Sequence, residues 1–344
     1  MVTGLRVGLL AVLVASCARP PAPRRAFYFW RTTLQPSAAE TRALADLKIG
    51  RLYVRLFDVD WDDHAGAPVP LATLAVPDGA PALPAAIEVV PVVYVRARVL
   101  RHLTGAAALS DLIWRATERQ MVRLGRRARE LQIDCDWAAG DRATYFALLE
   151  SLGKRAGPAG VALSATIRLH QVKYRERTGV PPVARGMLMF YNMGALDADP
   201  QTHAIFDPGR AGAYLARLPD YPLPLDVALP IWSWVVHVRG DQVVGLLQDT
   251  DPDDLAGKPW LRARGQGRFE VSEASFLHGV LLRPGDYLDV EETTPADLEK
   301  AAALVAPRLA PSREPRTITL FHLSERNLAR HETPHLARVL ARFR

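Results

Sequence analysis

Lysine is scarce in this chain. Of 43 basic residues only five are lysines (Lys48, Lys154, Lys173, Lys258 and Lys300), so the formal net charge of +6 is carried by arginine. A surplus of that sign invites an acidic partner. The arginines are nevertheless spread along the chain. The local group Arg123, Arg126, Arg127 and Arg129 falls on one predicted helix, where a solvated face accounts for it. No helix-turn-helix, zinc-finger or RNP-type signature accompanies them, so no nucleic-acid partner is expected. Cysteine is scarcer still, and Cys17 and Cys135 cannot build a disulfide scaffold. No uncharged apolar run reaches the roughly 18 residues of a membrane-crossing helix. No glycine-rich phosphate turn follows an early strand, which argues against a dinucleotide-binding open sheet. Close-spaced metal motifs are missing too. His64, His170 and His322 with Asp134 supply ligand chemistry, but on separate predicted elements, so neither a metal nor a cofactor is expected.

What is present suits a folded chain. Its 344 residues, 49% hydrophobic and 23% charged, exclude a disordered tail and leave room for one large α/β barrel or two modest domains. The first residues read as an export signal. Arg6 is followed by the nine-residue apolar run Val7–Ala15, then by Ser16 and Cys17. Val14-Ala15-Ser16-Cys17 resembles the bacterial lipobox, whose cysteine is lipidated and becomes the new N-terminus. Residues 1–16 are thus expected to be a lipoprotein signal peptide, and 17–25, with its RPPAPRR run, a short stiff tether. Lipid chains would supply the anchor. Ala18, rather than aspartate, after the cysteine is the outer-membrane pattern of diderm lipoproteins. The expected location is the cell envelope.

From Ala26 onward, strand-like runs alternate with helical patterns. The predicted strands are Ala26–Trp30, Arg51–Asp60, Ala86–Val95, Leu131–Trp137, Val161–His170, Gly186–Asn192, Leu225–Trp234 and Thr317–Leu323. Predicted helices include one from Ser37, with Ser37 and Glu40 as a capping box, and a long amphipathic one over Asp111–Leu131. Eight strands joined by crossovers imply parallel pairing and a (β/α)8 TIM-type barrel over 26–344. Residues 239–290 fit no such unit and read as a β-rich hairpin subdomain inserted before the last strand.

Barrel sites lie at the carboxyl ends of the strands, and polar residues concentrate there. Asp58 and Asp60 end the second predicted strand, which also carries Arg55. Asp134 and Asp136 end the fourth, Arg168 and His170 the fifth, Tyr191 and Asn192 the sixth, Trp232 and Trp234 the seventh, and His322 the eighth. With a period of two, Asp134 and Asp136 share a strand face about 7 Å apart. Pointing inward, they would repel and be partly desolvated, which raises the pKa of at least one of them. That is a way to hold a proton for general acid or base work. Pairing with Arg55 or Arg168 as structural polar groups is the other reading. Ser164, Thr166, Arg168 and His170 form a polar stripe suited to lining the barrel. Trp232 and Trp234 share a face and suit either sugar stacking or plain core. Cys135 reads as a buried small hydrophobe.

Two segments resemble a known family. Ile133-Asp134-Cys135-Asp136-Trp137 looks like the strand-four core D-x-x-D-x-D-x-E of chitinase-type (family 18) glycoside hydrolases. Met189-Phe190-Tyr191-Asn192 looks like their strand-six M-x-Y-D. The chain beyond the signal also resembles a family of bacterial lipoproteins through FWRTT at 29–33, RLYVRLFDVDWD at 51–62, SATIRLH at 164–170 and LPLDVALPIWSW at 223–234. The departures matter. On the chitinase pattern the acid glutamate falls at Ala138, and Asn192 replaces the strand-six aspartate. Alanine donates no proton, so the family's hydrolysis does not carry over intact.

The resulting expectation is an envelope-anchored, glycoside-hydrolase-like barrel acting on a glycan. Asp136 would be its acid/base and Asp134 the electrostatic neighbour. Arg55, Asp58, Asp60, Arg168, His170, Tyr191, Asn192, Trp232, Trp234 and His322 would bind the sugar. The alternative is a glycan- or envelope-binding lipoprotein without turnover. The expected partners are that glycan or envelope ligand and the membrane, the latter through lipidated Cys17. A monomer is expected.

Overall fold

The computed structural model of the chain describes residues 21–194, 204–248, 250–312 and 314–343. The signal segment, Cys17 and the first half of the tether lie outside the described residues. Eight parallel strands close into a barrel: β1 (Arg24–Phe29), β2 (Arg51–Asp62), β3 (Glu88–Val95), β4 (Glu130–Asp134), β5 (Ala162–Arg168), β6 (Arg185–Met189), β7 (Leu225–Pro230) and β8 (Thr317–Phe321). Each strand pairs with its chain neighbours, and β1 pairs with both β2 and β8, so no edge is left in the ring. The expected (β/α)8 architecture is the observed one.

Boundaries differ where local chemistry stops a strand. β5 ends at Arg168, and a short helix over Leu169–Lys173 begins there, with Gln171 Oε1 accepting from the Arg168 amide at 2.8 Å. His170 is therefore helical and does not continue the stripe. β7 ends at Pro230, and Trp234 belongs to the next strand, Ser233–Arg239. The helix expected over Asp111–Leu131 runs over Ala106–Arg123 instead. Gly125, at φ 61°, turns the chain out of it, and Asp111 sits inside it, paired with Arg115 at 2.8 Å. The Ser37–Glu40 capping box forms as the spacing suggests.

β2 is longer than expected and folds back antiparallel on a strand over Ala67–Leu71. A bulge lies between Arg55 and Phe57, where one extra residue faces β3. The insertion is larger than 239–290. Its five-stranded antiparallel sheet starts at Ser233 and returns at Glu292, and it has its own apolar cluster around Val235, Leu247, Val271 and Leu288.

The barrel lumen is polar. Alternation on β4 puts Glu130, Gln132 and Asp134 on one face and Leu131, Ile133 and Cys135 on the other, the latter in the main apolar cluster. The inward groups bond in layers up the barrel. At the amino-terminal pole, Arg51 grips Glu88 (3.0 and 3.1 Å) and Glu130 (2.8 Å), and Ser164 donates to Glu130 at 2.6 Å. Above them, the Tyr28 hydroxyl donates to Gln132 at 2.5 Å. Across the same pole, buried Asp226 meets Arg185 at 3.0 Å and accepts from the Thr317 amide at 2.6 Å.

Burial pushes the Asp226 carboxyl up from 3.8 to about 6, against the pull of Arg185. In that window the folded chain holds a proton that the unfolded chain releases, so stability falls as pH rises. Chemical denaturation between pH 4 and 6.5 should show a loss on the order of 3 kcal/mol across the window. In Asp226→Asn that slope should flatten.

Candidate active site

The carboxyl-terminal pole opens into a cavity of about 780 Å³. Its centre is Arg168, at the end of β5. The Arg168 Nε donates to Asp136 Oδ1, and its Nη2 lies 3.1 Å from Asp134 Oδ1. Thr166, one inward position earlier, donates to the same Asp134 oxygen at 2.6 Å. The sequence places these groups simply. Thr166 and Arg168 alternate inward on β5, and Asp134 is the last residue of neighbouring β4.

The two aspartates differ in exposure. The Asp134 side chain is 3% exposed and that of Asp136 50%. Burial raises the Asp134 pKa; Asp136 and Asp58 add to the rise, while Arg168 and Thr166 oppose it. Burial also works against the Arg168 charge, but Asp134 and Asp136 outweigh it and hold the guanidinium firmly protonated. Both expected readings of the pair thus meet in one arrangement: they share an inward face, and they are ion-paired.

Arg55 and Asp58 form a second inward pair, two parallel bonds of 2.6 and 2.5 Å. Strict alternation would send residues three apart to opposite faces. The bulge after Arg55 lets both line the cavity. Arg55 also lies over the Trp30 ring, 5.3 Å from its centroid.

The far wall is aromatic. Trp232 meets Tyr191 edge-on at 4.6 Å and Phe321 at 5.2 Å, and Trp234 stands 6.2 Å from Trp232. The Trp234 indole donates to Glu291 at 3.0 Å. Both tryptophans are buried. Burial raises the Tyr191 pKa, and the Asp134 and Asp136 charges add to it against Arg168. Asn192 is exposed at the rim and His322 buried in the wall.

The structure therefore brings together Asp134, Asp136, Arg55, Asp58, Arg168, Tyr191, Asn192, Trp232, Trp234 and His322. Two expected residues lie outside the lining. Asp60, past the last β2–β3 pair, turns to Arg96 (3.2 Å) and Arg98, and its hydrogen bond from Arg98 holds its carboxyl below the usual range. His170 is exposed on its helix, its pKa lowered by partial burial. His64 sits in the exposed hairpin turn, where Asp62 accepts from its amide at 2.8 Å. Among the described residues no group of three or more histidine, cysteine, aspartate or glutamate side chains is placed to hold a metal.

Sequence reasoning missed Tyr94, Arg96, Trp30 and Arg31, all in the lining. Burial, helped by Asp136 and Asp134, pushes the Tyr94 hydroxyl up to about 12. Trp30 and Tyr94 stand at the ends of the first and third strands, the two ends that a survey of polar termini passes over because their strands read as apolar.

No protein-family model matches the chain, and no curated protein matches it. Solved structures do match in fold. The spore cortex-lytic enzyme SleL of Bacillus cereus superposes with a TM-score of 0.56 at 13% identity, over 94% of this chain and 75% of that one. A mutant class V chitinase from Nicotiana tobaccum in complex with NAG4 gives 0.53 at 10%, over 93% and 98%. The chitinase-like agglutinin of Robinia pseudoacacia gives 0.54 at 12%, over 92% and 99%. The fold is therefore that of the chitinase-type barrels, with both enzymes and an agglutinin among its structural neighbours.

Replacing Arg168 by leucine should leave buried Asp134 without its cation. A loss of about 3–5 kcal/mol is expected in urea unfolding, the usual cost of breaking a buried ion pair. The Asp134 carboxyl should titrate still higher, read by carbon-detected NMR.

Proposed function

We propose that this chain is a glycan-acting barrel that receives its sugar in the carboxyl-pole cavity, with Asp136 as the general acid/base. One observation carries the reading: Asp136 is the water-facing carboxylate of a wall whose other carboxylates, Asp134 and Asp58, are buried. A ligand entering the cavity meets Asp136 first. Asp134, partly desolvated behind it, sets the field in which Asp136 works, and Arg168 fixes the two in register. Tyr191 and Asn192 offer hydrogen bonds, and Trp232 and Trp234 offer apolar contact to sugar C–H groups. The shared fold with chitinase-type barrels supports a glycan as the ligand class.

A second reading, binding without turnover, has its own support. The Asp136 oxygen nearest Arg168 already accepts a hydrogen bond from the guanidinium, so a ligand must compete with Arg168 for it. Ala138 stands where the chitinase pattern carries its acid glutamate. A chitinase-like agglutinin is among the barrels of the same fold.

Chromogenic glycosides and a glycan array, applied to the Ala26–Arg344 form, separate the two. Turnover that falls at least about a hundredfold in Asp136→Asn, the scale of lost acid–base catalysis, is the expected result. Binding that survives the substitution, with no turnover on any substrate, favours the second reading.

The envelope location belongs to the same proposal and rests on the lipobox-like Val14–Cys17. Mass spectrometry of the chain expressed in a diderm bacterium should find Cys17 acylated at the new N-terminus, and Cys17→Ser should leave the chain in the soluble fraction. Unmodified Cys17 in the native chain would refute the anchor.

A further inference from the structure

The cavity rim carries its charge unevenly. Its water-facing carboxylate is Asp136. Its water-facing cations are Arg31 and Arg96, whose side chains are 39% and 48% exposed. The partners of these arginines lie beneath them. Arg31 Nη2 donates to fully buried Glu40 at 2.7 Å, and Arg96 Nη1 lies 3.2 Å from Asp60, which is 6% exposed. Asp60 also serves Arg98, so one carboxylate answers two guanidinium groups there. A guanidinium has five N–H donors in a planar fork. Arg96 commits one terminal nitrogen to Asp60 and keeps the rest of its fork open to a ligand.

Position adds to this. Arg31 follows β1, Arg55 lies within β2 and Arg96 follows β3, so three arginines stand on three adjacent strands of one cavity wall. Arg55 is neutralised in place by bidentate Asp58. The aromatic groups Tyr191, Trp232 and Phe321 occupy the sector of β6 to β8. The sector of β6 to β8 thus offers apolar surface, and that of β1 to β3 sets the exposed guanidinium groups of Arg31 and Arg96 beside Trp30 and Tyr94.

We propose that the ligand of this cavity is an anionic glycan whose carboxylate is received at the rim by Arg31 and Arg96. The inference rests on the glycan reading above and specifies its substrate class. Planar forks match a carboxylate in two-bond geometry, which a neutral hydroxyl does not reproduce. Asp136 repels a carboxylate set against it, which steers the charged substituent towards the arginine sector and leaves the uncharged linkage near Asp136. The buried counterions beneath Arg31 and Arg96 keep both guanidinium groups in place; Arg31 also packs over the Phe29 ring at 4.6 Å, with Nε buried, so its terminal nitrogens are what it offers to a ligand.

Two matched probes test this on the full chain in neutral detergent, by isothermal titration: tetra-N-acetylglucosamine, and the same tetrasaccharide with a carboxylate-bearing ether on alternate sugars. The charged probe should bind about tenfold tighter or better at low ionic strength, and the advantage should shrink in 0.5 M sodium chloride as screening sets in. In Arg96→Gln, and independently in Arg31→Gln, the ratio of the two affinities should fall to about threefold or less. Circular dichroism of each variant checks its fold, and Arg96, at the exposed rim, is the safer of the two. Equal affinity for both probes overturns the anionic inference and leaves the glycan reading standing. A preference undiminished in both variants overturns the assignment to these arginines. Failure of both probes to bind sinks the glycan reading, and this inference with it.

Discussion

The candidate site depends on one cation shared between two carboxylates. Asp134 and Asp136 point from β4 and its extension towards the same space, and without a counterion their repulsion and desolvation would drive one of them to hold a proton or turn away. Arg168 settles this from the next strand, reaching Asp134 with one nitrogen and Asp136 with another. A planar guanidinium does this better than an ammonium group, because two donors set in one fork meet two acceptors at fixed spacing. The result is a pair with different roles: Asp134 buried and bound also to Thr166, Asp136 half in water.

That arrangement is the top layer of a polar column. Below it lie the Tyr28–Gln132 contact and then the Arg51, Glu88, Glu130 and Ser164 network. Barrels of this kind are usually filled by branched apolar side chains. Here Arg51, Glu88, Glu130, Ser164, Tyr28 and Gln132 bond to one another, the condition under which such groups can be buried without a large penalty. Apolar residues such as Leu131, Ile133 and Cys135 face outward into the main apolar cluster, while Met189 and Phe321 face the cavity, so the ring is held by packing and by directional bonds together. Directional bonds demand a defined register. The bulge in β2 fits that demand, since it turns Asp58 to the side on which Arg55 already points.

The proposed turnover and its alternative, binding alone, both turn on Asp136, the water-facing carboxylate of the cavity. Ala138, a small exposed residue, follows the end of β4. Chitinase-type enzymes and an agglutinin share the fold, so the fold itself does not choose between the two activities.

The eight-strand ring was legible in the sequence because apolar runs and crossover lengths report on local chain geometry and on the parallel pairing it requires. The inward stripe Ser164, Thr166 and Arg168 was legible for the same reason, since strand alternation is a property of the backbone. His170 was misplaced because a strand end is set by a competing hydrogen bond, here from the Arg168 amide to Gln171 Oε1. Asp60 was misplaced because its fate depends on Arg96 and Arg98, which approach from beyond β3. Trp30, Arg31, Tyr94 and Arg96 were invisible as site residues: each belongs to the cavity only through the closure that sets β1, β2 and β3 side by side. The sequence alone determined which residues alternate inward and where polar groups gather along each strand. Tertiary structure alone decided which of them meet, because charge pairing and burial act through space between strands far apart in the chain.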